Sequence, residues 1–181
     1  MGKLRSQIDE NLAKVIREQH VFFVATAPLD PRGNLNLSPK GLDSFRILDP
    51  RTVAYLDFIG SSVETVAHLK ENGRIVLMFC EFQGSPNVVR LHGMGRAVEP
   101  PAPEFAVLAQ KFPAYENKRA IIVVDVTRIS DSCGFGVPLM KYEADRTQLW
   151  AWAEKKGPEG LKLYKQEKNR RSIDGLPGLA E

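Results

Sequence analysis

The links between the apolar runs of this chain constrain its fold more tightly than any other feature. Val21–Ala27 (VFFVATA) is rich in β-branched and aromatic residues, and the seven residues that follow, PLDPRGN, are dense in turn formers. Leu35–Lys40 (LNLSPK) then alternates apolar and polar residues until Pro39, which removes a ladder donor and marks a strand end or an irregular edge. Arg74–Phe82 and Val88–Val98 are joined by another short turn within FQGSPN. Links of five to seven residues cannot carry a parallel crossover, so these pairs are antiparallel.

The pattern predicts six strands, at 21–27, 35–40, 52–58, 74–82, 88–98 and 120–129. Runs 74–82 and 120–126 are nearly continuous in apolar residues, where a half-exposed antiparallel strand would alternate. Both faces of these strands must therefore be covered. Six strands closing on themselves bury one face, and helices or a second subunit bury the other. The expected fold is mainly β, a six-stranded antiparallel barrel with peripheral helices.

Leu4, Ile8, Leu12, Val15 and Ile16 recur at helical spacing and predict an amphipathic helix over 4–19. A second helix is expected at 62–72 with Asn72-Gly73 as its stop, a third at Glu104–Lys111 after Pro100, Pro101 and Pro103, and two more at 144–156 and 159–169. At 181 residues, with no internal repeat, the chain is expected to be a single domain over 1–181 with an N-terminal helix and a C-terminal helical extension.

Composition narrows the class. Hydrophobic residues make up 43% and charged residues 26%, ordinary for a soluble globular protein, and no apolar run approaches a membrane span. The N-terminus, MGKLRSQIDENL, is too polar for a secretory signal, so the cytoplasm is the expected compartment. Cys80 and Cys133 stand far apart with no C-x-x-C, which argues against a disulfide scaffold and a zinc site alike. A net charge of +3 is too mild to indicate nucleic acid but leaves room for an anionic ligand. His20, His68 and His92 lie in different elements without ligand spacing, so no metal site is expected.

The candidate chemistry centres on Tyr55–Phe82, read as strand, helix N-terminus, helix and strand. Gly60, Ser61, Ser62, Val63, Glu64 and Thr65 gather hydroxyls where a helix begins. Unpaired N–H groups there could receive a phosphate, with Ser61, Ser62 and Thr65 as donors. The alternative needs no ligand: Ser61 and Glu64 as a capping box, S-x-x-E. Lys40, at a strand end after Ser38-Pro39 and before Gly41, is either a cation facing a cleft or a solvated strand end. Arg90 sits mid-strand and requires an anionic partner, with Asp57, Glu81 or a ligand as candidates. Gly134-Phe135-Gly136 lacks the third glycine and following helix of a dinucleotide loop, and Gly93-Met94-Gly95 reads as a bulge or close backbone approach. The basic stretch Lys162–Arg171 is a solvated helix face.

Taken in order, LNLSPKG, YLDFIGSSVETVAHLKENGRIVLMF and VVRLHGMGR resemble the pyridoxamine 5′-phosphate oxidase-like, FMN-binding split-barrel family. SCGFGVP at 132–138 and KNRRSIDGLPGL at 168–179 resemble one branch of it. The resemblance implies a homodimer with noncovalent FMN at the subunit interfaces, acting as an oxidoreductase on a small-molecule substrate. Lys40 matches the family lysine that contacts the flavin. The residues so assigned to the cofactor are Ser38, Pro39, Lys40, Gly41, Asp57, Ser61, Ser62, Thr65 and Arg90, with no catalytic residue assigned. Four family positions differ: an arginine falls on Leu35, an arginine-lysine pair on Glu64 and Thr65, and a glutamine on Val88, while Arg90 and Gly93 match. These departures leave two alternatives, a binding module whose flavin site has decayed and a relative that uses a deazaflavin.

Overall fold

A computed structural model of the chain describes residues 2–180. Its elements run β1 (Leu4–Arg5), α1 (Glu10–Arg17), β2 (Val21–Thr26), β3 (Asn36–Gly41), β4 (Phe45–Asp49), β5 (Thr52–Phe58), α2 (Glu64–Asn72), β6 (Arg74–Cys80), β7 (Asn87–Val98), α3 (Pro103–Ala109), β8 (Lys118–Cys133) and α4 (Gln148–Lys168). The strands form one antiparallel sheet of eight, in the order β3-β2-β6-β7-β8-β5-β4, with β1 paired to β8. No helix among the described residues is long and apolar enough to cross a membrane.

Two of the eight strands lie outside the six that the pattern predicts. β4 is an edge strand whose residues are only half-buried, so its apolar signal is weak, and it turns directly into β5. β1 comes from the segment expected to open a 4–19 helix. Leu4 and Arg5 instead pair with Ser130 and Ile129, and α1 starts only after Asp9, whose carboxylate accepts the Leu12 N–H at 2.8 Å. The two expected C-terminal helices are found as two helical segments within α4, the first starting four residues later than expected, and they meet at a break at Gly157, whose φ of 65° only glycine adopts freely, ahead of Pro158. The Gly93 expectation holds: the β7–β8 register shifts between His92 and Gly93, and a Cβ on Gly93 would meet the Asp125 carbonyl oxygen at 2.3 Å.

The sheet curls around a core that joins Tyr55, Leu77, Leu91, Ile122 and Val124 to Leu12 and Ile16 of α1 and Val66 and Leu69 of α2. The opposite face of β5 and β8 carries Ala54, Leu56, Ile121 and Val123, and it is covered by Leu108 of α3 and by Phe112 just beyond it. Helix α3, within the same chain, thus accounts for the double burial of β8 without a second subunit. The corresponding face of β2, β3 and β6 is different. Phe23, Ala25, Val76 and Met78 remain half-buried, and Leu37 is 67% exposed.

Candidate functional site

The site is built where the two flanks of the curled sheet meet. β3 lies at one end of the strand order and β5 next to the other, yet Lys40 Nζ reaches Asp57 Oδ1 at 3.0 Å. Asp57 is fully buried and receives a second cation: Arg119, at the start of β8, places Nε and Nη2 at 2.8 and 2.7 Å from Oδ2. Burial pushes the Asp57 carboxyl up, but Arg119 and then Lys40 outweigh it and hold the pKa below the ordinary carboxylate value. Arg119 itself is buried, and its Nη1 donates to the carbonyl oxygens of Ser62 at 2.5 Å and Gly60 at 3.4 Å. One guanidinium thus ties the carboxylate that orients Lys40 to the loop that opens α2.

That loop does not gather its three hydroxyls at one point. Ser61 is exposed. Ser62 Oγ donates to the Glu64 carboxylate. Thr65 is buried on the inner side of α2, where its Oγ1 accepts Asn36 Nδ2 at 2.9 Å. Asn36 Nδ2 also reaches Thr26 Oγ1 at 3.1 Å, and Thr26 lies 2.9 Å from His68 Nδ1, so Thr65 belongs to a buried polar network. Burial pushes the His68 pKa down against the pull of Asp174, Glu64 and Glu71, keeping the ring neutral. The capping box is not formed. Helix α2 begins one residue after Val63, which gives no side-chain cap, and Glu64 turns to Ser62 and to the Ile173 N–H at 3.1 Å.

Lys40 also lines a cleft of about 1220 Å³ between the β2, β3 and β6 ends and the segment 140–149. Pro39 and Gly41 line it beside Lys40, with Val21, Phe23, Phe82, Met140 and Leu149 as apolar walls. His20 and Tyr142 stack across it, ring centroids 3.6 Å apart and 7° from parallel. Ser38 lies behind this wall, its Oγ donating to Asn36 Oδ1 at 2.9 Å. Arg90 is elsewhere: β2 and β6 lie between its strand and that of Lys40, and its Nη1 donates to Ser132 Oγ at 2.9 Å instead of to Asp57 or Glu81. Asp57's second cation, Arg119, went unrecognised in the sequence. The signal was Asp57 itself, a carboxylate inside the apolar run YLDFI, and β5–β8 pairing sets it opposite Ala120, next to Arg119.

A sequence model of the pyridoxamine 5′-phosphate oxidase family matches residues 8–133. The chain is also 39% identical, over 189 residues, to the pyridoxamine 5′-phosphate oxidase family protein ustO of Aspergillus flavus, covering 95% of this chain and 76% of that one. This chain belongs to the pyridoxamine 5′-phosphate oxidase family. Among solved structures, HupZ of Group A Streptococcus superposes with a TM-score of 0.54 at 23% identity, covering 69% of this chain and 99% of its own. A protein of Mesorhizobium loti described as FAD-binding superposes with a TM-score of 0.51 at 12% identity, covering 72% and 96%. At such identities the likeness shows the fold alone.

The family's cofactor, a flavin carrying a 5′-phosphate, fits this donor set at one end only. The cleft is large enough for a planar ring and offers apolar walls at Val21, Phe23 and Phe82 beside Lys40, which Asp57 holds in place, while Glu18, Glu81, Glu143, Asp145, Lys141 and Arg146 complete a mixed-charge lining. At the other end, the corner that opens α2 presents the Glu64 carboxylate, and the nearest guanidinium, Arg119, is committed to Asp57 and to two carbonyls. A phosphate dianion does not fit that corner as it stands.

Proposed function

We propose that this chain is a flavin-dependent oxidoreductase acting on a small-molecule substrate, with FMN as the flavin and a homodimer as the working unit. The observation that carries the reading is Lys40: a strand-end cation on the wall of a large cleft, held by a fully buried carboxylate. An ammonium serving only as a solvated strand end needs no such anchor. Pro39, Lys40 and Gly41 form the ring side of the site, with Ser38 and Asp57 behind them and Ser61 toward the flavin tail. Bound there, a flavin would supply the hydride or electron transfer, while Lys40 would fix a positive charge beside it. Family membership supports this reading, as does a fold relative described as FAD-binding.

The half-buried outer face of β2, β3 and β6, with Leu37 exposed, is the surface for the second copy. Thr65 and Arg90 stay in the proposed site only through such an assembly or through rearrangement, since Thr65 is committed to Asn36 and Arg90 to Ser132. The competing reading, a binding module without flavin, is favoured by Leu35, Glu64 and Val88, which stand where the family carries an arginine, an arginine and a glutamine, and most directly by the Glu64 carboxylate.

Titration of the purified protein with FMN, followed by quenching of flavin fluorescence, tests the reading. Saturable, stoichiometric binding is expected. In Lys40→Met the flavin should stay bound while its two-electron potential falls by tens of millivolts, since about 30 mV corresponds to 1.4 kcal/mol and a partly buried charge pair is worth ~1–4 kcal/mol. Absence of binding would overturn the FMN reading, and an unchanged potential would remove Lys40 from the site.

A further inference from the structure

The corner that opens α2 already contains an anion of the protein's own. Glu64 is the first residue of the helix and is only 8% exposed. Its Oε1 accepts the Ile173 N–H at 3.1 Å, and its Oε2 accepts the Ser62 hydroxyl. Burial raises the carboxyl's pKa, but the Ser62 hydroxyl and the N–H groups of Glu64, Ile173 and Val63 outweigh this and hold it low, so it is ionised at neutral pH. The negative charge at this helix N-terminus is thereby the protein's own.

The C-terminal turn that brings Ile173 here is fastened by the chain's own groups. Gly175, at φ 79°, closes it through N–H to Ser172 O at 2.9 Å, and Ser172 Oγ accepts the Leu176 N–H at 3.1 Å. Asn169 Nδ2 donates to Gly60 O at 2.8 Å, which binds the base of the turn to the same loop. A Cβ on Gly178 would meet Asn169 O at 2.3 Å and Val63 Cγ2 at 2.9 Å, so the turn lies directly on the residue before α2. The SIDGLPG motif is thus a lid on this corner, and Glu64 is the charge beneath it.

We propose that Glu64, held by this turn, stands in for the flavin phosphate, so that the chain selects its flavin by the ring and not by the 5′-phosphate. The proposal rests on the flavin reading above and makes Glu64 a specificity-determining residue. It also gives physical content to the loss of the family's arginine-lysine pair at 64 and 65: a cationic pair attracts a phosphate, and a seated carboxylate repels one.

The test compares FMN with riboflavin, which lacks the phosphate, on the wild-type protein and on Glu64→Gln. Wild-type dissociation constants for the two should agree within about threefold, or ~0.7 kcal/mol. Glu64→Gln keeps the side chain's shape and should tighten FMN about tenfold, the equivalent of ~1.4 kcal/mol, while leaving riboflavin unchanged. A wild-type preference for FMN of about a hundredfold (~2.7 kcal/mol) overturns the proposal, as does an equal change for both ligands in the variant. The wild-type ratio decides the matter even where the variant fails to fold. If neither flavin binds either protein, the flavin reading fails, and inorganic phosphate then probes the corner alone. Phosphate should raise the melting temperature of Glu64→Gln and not that of wild type, whereas a rise in wild type, or none in the variant, overturns the proposal.

Discussion

Asp57 is a carboxylate in the middle of an apolar strand, and burial at that depth is sustained only by the cations that reach it. Lys40 and Arg119 approach from opposite flanks of the sheet, at 3.0 and 2.7 Å. Removing the shared anion would leave two positive charges facing each other without compensation, so Asp57→Asn should destabilise the fold by ~3–5 kcal/mol in urea denaturation. The pH dependence has a definite sign. The folded-state pKa lies below the ordinary value, so the stabilisation is complete above the unfolded carboxylate pKa, about 4, and is lost as pH falls through the folded one. Between pH 7 and pH 2, wild type should therefore lose stability that Asp57→Asn has already lost, and the two curves should converge in acid. Parallel curves would mean that Asp57 titrates alike in the folded and unfolded chains.

At the scale of elements, the strands flanked by tight turns were legible because apolar content and turn residues speak for themselves. β5 was expected at 52–58, as found, and β6 and β7 differ from expectation by at most two residues at an end. β4 escaped because a half-buried edge strand leaves a weak pattern, and the 4–19 helix was overrun by the pairing of Leu4 with Ser130, a contact 126 residues away. The site was legible in part: Lys40 and Asp57 stand out locally, whereas their pairing with each other and with Arg119 depends on how the sheet curls. The double apolarity of β8 was readable, but not which of the two covers, a helix or a second subunit, supplies it: α3 does. Phe112 is 7% exposed in that layer, so Phe112→Ala should cost about 3 kcal/mol by denaturant melts, equally at low and high protein concentration. A cost that varies with concentration would place this face in a subunit contact instead.

For the whole molecule, a fold that buries one flank of its sheet under α3 leaves the other, β2, β3 and β6, half-exposed beside the cleft that Lys40 lines. A second copy on that flank would cover Phe23 and Leu37 and wall the cleft at the same time, which links assembly to cofactor retention. Size-exclusion chromatography with light scattering and visible absorbance on one peak examines both together. The account predicts a species of about twice the 20.2 kDa chain mass, with the visible absorption of a flavin, supplied as FMN, co-eluting in stoichiometric amount. A colourless monomer that stays colourless after incubation with FMN would contradict it.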